Sequence, residues 1–307
     1  MRDTFVKTLI ELAKQDKSIE LVTGDLGFGV LKPFWEQLPD QFTNVGIAEQ
    51  NMTAMAAGMA MEGKNVFVYS IGNFPTLRCL EQIRNDCAYH QANVKIVCVG
   101  AGFAYGPLGM SHQATEDIAV MRALPDVAVM SPGDKAEAAA CTRALTEYCG
   151  TAYLRLGRGG EPAIHEVVNG FQIGKALKVY DGNRVALFST GAIFDEVRAA
   201  YSLLAENGYH PAVYTFPTIK PIDRELIERI SRDFELIVTC EEHQMSGGFG
   251  SVVAEVMAEM KERKARLKRI ALPDAFCSLV GTQKYLREQM GIDGETIAAA
   301  VERELNG

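Results

Sequence analysis

Two segments place proton-transferring side chains beside glycine. In residues 44–63 (NVGIAEQNMTAMAAGMAMEG), a strand end and a Gly lead into a helix opened by Glu49. The positive end of the helix dipole favours a carboxylate in the first turn. Glu49 therefore reads either as an ordinary first-turn acid or as a buried acid that donates or takes a proton. Burial against an apolar wall would favour its neutral form. In residues 100–134, a strand ends at Gly100. A loop with Gly102, Gly106, Pro107 and Gly109 then delivers Ser111-His112-Gln113 just before a helix. A His there is either an exposed loop side chain or one placed for chemistry. A third segment, TAYLRLGRGGEP (151–162), ends a strand with Arg155 and Arg158. The pair reads as a clamp for phosphate or carboxylate, or as two solvated linker side chains. The fourth, CEEHQMSGGFGSVVAE (240–255), has Glu241, Glu242 and His243 at a spacing that fits no zinc signature. Its Gly run lets a strand turn tightly into a helix, which favours a structural turn at a domain or subunit interface. No GxGxxG opens a helix and no P-loop is present, which argues against a self-contained nucleotide site.

The elements that hold these segments alternate. Apolar, β-branched runs at 19–22, 66–69, 94–99, 127–130 and 152–156 predict strands. Helical spacing at 49–62, 77–90, 115–124 and 134–148 predicts the helices between them. Strands that are apolar throughout predict a mostly parallel sheet covered on both faces, with ligands at the strands' carboxyl ends. The run GRGGEPAIHEVVNGF reads as a linker. Alternation then restarts, with strands at 184–189, 212–216, 236–240 and 267–272. Helices follow at 193–207, 223–232, 250–261 and 294–305. A length of 307 residues suits two domains, 48% hydrophobic content suits a sizeable core, and a net charge of 31 − 39 = −8 argues against a nucleic-acid binder. No apolar run reaches the roughly 20 residues that span a bilayer. The opening MRDTFVKTLIELAKQD is an amphipathic helix with acids in it, unlike a signal peptide. Seven Cys without a CxxC predict a reduced, cytoplasmic protein.

The four segments, in this order, resemble the C-terminal half of transketolases. They are also similar to the same half of deoxyxylulose-phosphate synthases and to the beta subunits of 2-oxo acid dehydrogenases. Gly46-Ile47-Ala48-Glu49-Gln50-Asn51 resembles the G-I-x-E segment, and Ser111-His112-Gln113 the T-H-Q of the first two groups. STGAIFDEV and EEHQMSGGFG resemble the family's C-terminal domain. The resemblance implies two three-layer α/β domains. Residues 1–160 would be a pyrimidine-binding domain for thiamine diphosphate, and residues 161–307 a transketolase C-terminal-like domain with the linker at its start. The family holds the cofactor's diphosphate and Mg²⁺ through a GDG…N motif, and this sequence contains no GDG. The resemblance also begins past the first domain of a full-length transketolase. It therefore implies a separate N-terminal subunit carrying the diphosphate and Mg²⁺ site, in an α₂β₂ assembly.

By the same resemblance, Glu49 contacts N1′ of the aminopyrimidine. A protonated Glu there favours the form whose 4′-nitrogen removes the thiazolium C2 proton. Phe74 is implied as the aromatic on the pyrimidine, Asp25 as an acid near the thiazolium, and Ile47 as a cofactor contact. His112 would face the intermediate and the substrate oxygens. Arg155 and Arg158 would bind a substrate phosphate or sulfonate. Two positions depart from transketolases. Leu108 stands where they carry an Asp that recognises a substrate hydroxyl, and Gly100 where they carry a phosphate-contacting His. A Leu cannot hydrogen-bond a hydroxyl, so an unusual sugar is expected. The leading expectation is ketol transfer from a ketose to an aldose. The alternatives are synthase-like or dehydrogenase-like chemistry on pyruvate, and a non-catalytic paralogue, against which the retention of Glu49 and His112 argues.

Overall fold

The computed structural model describes residues 1–306. In chain order the first half contains α1 (Arg2–Ala13), β1 (Ile19–Thr23), α2 (Phe28–Gln37), β2 (Phe42–Asn44), α3 (Glu49–Met61) and β3 (Asn65–Ile71). It continues with α4 (Leu80–Gln82), β4 (Val94–Val99), α5 (Asp117–Ala123), β5 (Ala128–Met130), α6 (Lys135–Glu147) and β6 (Ala152–Leu156). The second half contains β7 (Leu177–Tyr180), β8 (Val185–Ser189), α7 (Phe194–Glu206), β9 (Ala212–Thr215), β10 (Thr218–Lys220), α8 (Arg224–Asp233), β11 (Leu236–Gln244), α9 (Phe249–Ala258), β12 (Arg266–Leu272), α10 (Gln283–Gln289) and α11 (Gly294–Asn306). The first sheet has the order β10-β5-β6-β4-β3-β1-β2, and the second β12-β11-β8-β9-β7. Within each sheet all neighbours are parallel except one pair, β10 with β5 and β7 with β9.

The inner strands β3 and β8 are almost wholly buried because both faces of each sheet are covered, whereas the edge strands β2, β7 and β12 are partly exposed. Along β3, Val66 and Val68 enter one core while Phe67 and Tyr69 enter the opposite one; β4 does the same with Ile96 and Val97. This is the two-residue period of a strand read on both faces. One outer core packs α1, α2 and α6 on the first sheet, and another packs α7 and α11 on the second. The middle core is shared: Val68 and Ile96 belong to the same cluster as Phe188, Phe216 and Phe249. The second half thus lends β10 to the first half's sheet and shares its core.

The linker is fastened rather than loose. Asp134 caps α6 by accepting from the Glu137 N–H at 2.8 Å through Oδ1. Its Oδ2 accepts from the N–H groups of Ile164 and His165. The His165 ring lies 3.2 Å from Glu137 Oε1, and that hydrogen bond raises the imidazole above its ordinary value. No helix among the described residues is long and apolar enough to cross a membrane. All seven cysteines are free, and only Cys149 is exposed.

Candidate active site

The sequence-predicted residues lie at the carboxyl ends of the parallel strands. β1 leads to Gly24-Asp25, β2 to Glu49, β3 to Phe74, β4 to the loop of His112, and β6 to Arg158. Ligands of open parallel sheets bind in this place. Asn44 holds two of the strand ends together. Its Oδ1 accepts from the Asp25 N–H at 2.9 Å and the Gly46 N–H at 3.0 Å, and its Nδ2 donates to Asp25 Oδ1 at 3.1 Å. Asp25 has φ 56°, a left-handed conformation that Asp tolerates. Gly24 packs directly on Glu49: a Cβ there would lie 3.5 Å from Glu49 Cγ and 3.3 Å from Gly46 O.

Glu49 opens α3 and is 5% exposed. Its carboxylate does not lie against an apolar wall alone. Arg78 Nη1 donates to Oε2 at 2.8 Å, while Oε1 takes no bond from any described residue. The Arg78 guanidinium lies 4.6 Å from the Phe74 ring centroid, and the Phe74 ring meets the His112 ring edge-on at 5.3 Å. Glu49, Arg78, Phe74 and His112 therefore form one contiguous run across three strand ends. Sequence reading missed Arg78. It sits in a 3₁₀ turn, Leu77–Cys79, inside a stretch with plain helical spacing. Ile47 is 79% exposed beside this run.

His112 rides on a loop with several anchors. Gly102 pairs with Ala114 in both directions, Phe103 N–H donates to Glu242 Oε1 at 2.5 Å, and Gln113 Nε2 donates to Leu279 O at 3.3 Å. Asn73 Nδ2 donates to Gln113 O at 2.9 Å, which ties the loop to the Phe74 turn. Ser111 Oγ lies 3.0 Å from His112 Nδ1. Gly100 has φ 101°, and a Cβ there would meet Tyr105 Cδ2 at 2.3 Å. The Tyr105 ring thus fills the space where a side chain at position 100 would start. Leu108 is 58% exposed on the same loop.

The two arginines part company. Arg158 is exposed, with its guanidinium 5.5 Å from the Tyr105 ring centroid. Arg155 is 2% exposed, and its guanidinium is committed to the interior, which corrects the expectation that it meets a substrate anion. Its Nε donates to Asp117 Oδ2 at 2.7 Å, and its Nη2 donates to Ala114 O at 2.7 Å and Glu242 O at 3.1 Å. Tyr153 OH donates to the same Asp117 oxygen. Burial opposes the charge on Asp117, but the Arg155 guanidinium and these hydrogen bonds hold its carboxyl below the usual range.

Glu241, Glu242 and His243 have interior partners too. Glu241 accepts from the Phe249 and Gly250 N–H groups at the start of α9, and burial pushes it up to about 7. Glu242 pairs with Arg287 and joins the His112 loop to α10. His243 Nε2 accepts from the Ala119 N–H, and burial lowers it to about 4.

The residues present suit the pyrimidine half of the cofactor: a carboxylate with one oxygen unengaged, an aromatic ring, a neighbouring exposed Ile and a Gly that permits close approach. Comparisons with known proteins show the family and the fold. Residues 1–160 match the family "Transketolase, pyrimidine binding domain", and residues 174–297 match "Transketolase, C-terminal domain". A Methanocaldococcus jannaschii protein named as a transketolase C-terminal section is 40% identical over 99% of this chain and 96% of its own length. A Phocaeicola vulgatus protein, named as one of the subunits of an apulose-4-phosphate transketolase, is 38% identical over 96% of this chain and 94% of its own length. A solved structure described as a split gene transketolase, inactive beta4 tetramer, superposes with a TM-score of 0.89 at 33% identity, covering 99% of this chain and 97% of that one. The chain belongs to the transketolase family, matching its pyrimidine-binding and C-terminal domains.

Proposed function

We propose that this chain is the C-terminal, pyrimidine-binding subunit of a split transketolase, which moves a two-carbon ketol unit from a ketose to an aldose. The observation that carries the reading is the run Glu49–Arg78–Phe74–His112 at the strand ends, in a chain related to transketolase subunits over nearly its whole length. Thiamine diphosphate, when bound, supplies the carbanion chemistry at its thiazolium. Glu49 Oε1 holds and moves a proton at N1′, Phe74 offers an aromatic face to the pyrimidine, and Ile47 and Asp25 border the same cleft. His112 faces the substrate oxygens. A separate N-terminal subunit holds the diphosphate and Mg²⁺, in an α₂β₂ assembly. Two findings support that division: the sequence contains no GDG, and relatives are named as subunits.

Arg158 meets an anionic group at the far end of the sugar. One relative is named for apulose 4-phosphate. Another, from a Clostridium species, is named as a subunit of a 6-deoxy-6-sulfo-D-fructose transketolase; it is 33% identical over 98% of this chain and 92% of its own length. A phosphate and a sulfonate present similar oxygens to a guanidinium. Leu108 offers no hydrogen bond to a substrate hydroxyl, which favours a sugar other than the ordinary pentose phosphates.

The test is product analysis by NMR with the assembled enzyme. Ketol transfer between sugars without CO₂ is expected. Consumption of pyruvate with CO₂ release would instead support a synthase-like reaction. In the same assay, His112→Ala is expected to lower kcat/KM for the sugars by about 10²-fold. Cofactor affinity should stay within a few-fold. Unchanged sugar turnover in that variant removes the role given to His112.

A further inference from the structure

Glu49, only 5% exposed, meets the Arg78 guanidinium at 2.8 Å. The Arg78 side chain is 46% exposed in the isolated chain, yet three contacts fix it. One is the Glu49 oxygen, the second is the face of Phe74, and the third acts on its backbone, where Gln50 Nε2 donates to Arg78 O at 3.2 Å. The last of these ties the 3₁₀ turn back to the first turn of α3, which bears Glu49.

We propose that Arg78 is the positioning residue for proton transfer at Glu49: it orients the carboxylate through Oε2 and draws the shared proton away from Oε1 toward N1′ of the pyrimidine. The proposal rests on the reading that Glu49 serves thiamine diphosphate. In the step itself, the Oε1–H bond of Glu49 breaks and an N1′–H bond forms. The charge left on the carboxylate is matched by the guanidinium, which keeps all its protons. Nothing is oxidised or reduced.

The surroundings leave this role to Arg78. Beside Glu49 lie the backbone of Gly24, the Arg78 guanidinium and the Cys79 thiol. Burial pushes that thiol up, so it stays neutral. Arg78 is therefore the one fixed charge among the described groups in contact with Glu49. Arg suits the task better than Lys, because its planar cation can lie on an aromatic ring and still donate sideways to a carboxylate.

The test uses the assembled enzyme with Arg78→Gln, Arg78→Lys and Glu49→Gln. Three quantities are read: kcat, cofactor affinity and the near-ultraviolet circular dichroism that reports N1′ protonation in bound cofactor. Arg78→Gln is expected to lose most of the protonated signature and about 10²-fold in kcat, with the thermal midpoint lowered only modestly because the Arg78 side chain is 46% exposed. Arg78→Lys should restore part of both. If Arg78→Gln does not assemble, Arg78→Met takes its place, keeping an unbranched side chain beside Phe74 while removing the charge and the donor to Glu49. A normal signature with kcat within about twofold of the parent, in either charge-removing variant, overturns the proposal. Glu49→Gln separates the two levels. If it abolishes the signature while Arg78→Gln does not, only the role of Arg78 fails. If Glu49→Gln itself changes nothing, the reading of the site fails with it.

Discussion

Glu49→Gln in the assembled enzyme is expected to lower kcat by about 10²- to 10⁴-fold at saturating cofactor, the range that a positioned acid–base group contributes. The substitution is nearly isosteric. The amide oxygen can still accept from Arg78, so α3 and the turn at Leu77–Cys79 keep their contact. What is lost is a proton that can move between Oε1 and the cofactor. Each decade of rate is about 1.4 kcal/mol of barrier, so the loss amounts to about 3–6 kcal/mol, far beyond what a surface carboxylate could cause. The check is steady-state turnover with cofactor affinity measured separately. Near-normal turnover would remove Glu49 from the mechanism.

The second large effect lies under the site. Asp117→Ala strips Arg155 of its counter-charge while the guanidinium remains 2% exposed. Removing one member of a buried pair typically costs about 3–5 kcal/mol, because the other is left charged and unmatched. The unfolding midpoint in urea should fall accordingly. The double variant Asp117→Leu/Arg155→Met should recover much of the loss. The pair also sets an acid limit. The Asp117 carboxyl is held below its unfolded value, so its contribution is complete above about pH 4 and fades as pH falls through the lower, folded value. An Asp117→Ala chain with an unchanged midpoint would show that the pair is not structural. Arg155 also holds Ala114 O and Glu242 O, so its loss should loosen the loop that carries His112.

How far the sequence could be read depends on the residue. The buried inner strands were legible because two-sided burial makes them apolar, and the expected runs at 94–99 and 152–156 match β4 and β6 residue for residue, whereas the half-exposed edge strand β7 was not expected. Short elements were not legible. β2 and β10 have three residues each, and β10 is recognisable only from its partner β5, which lies far away in sequence. α2 carries Pro33 inside it, which argues against a helix until the tertiary contacts are known. The helix expected at 77–90 becomes a 3₁₀ turn, the short α4 and a π-helical turn at Ile83–Ala88, because apolar spacing does not distinguish i+3, i+4 and i+5 hydrogen bonding.

The site divides in the same way. Glu49 and His112 stand out as candidates in the sequence because glycine-rich turns at strand ends advertise them. Arg155 carried a readable warning: a charge inside AYLRL, an otherwise apolar strand, must be paired when both faces are covered. Arg78 left no comparable trace. Its importance comes from Glu49 and Phe74 converging on it, and only the fold brings those two elements together.

The central claim is that this chain holds only the pyrimidine half of a shared cofactor site. Calorimetric titration of the purified chain with thiamine diphosphate and Mg²⁺ tests it most directly. No measurable binding is expected of the chain alone, and binding is expected once the diphosphate-holding subunit is added. Tight, Mg²⁺-dependent binding by this chain on its own would contradict it, because the diphosphate site would then lie within these residues.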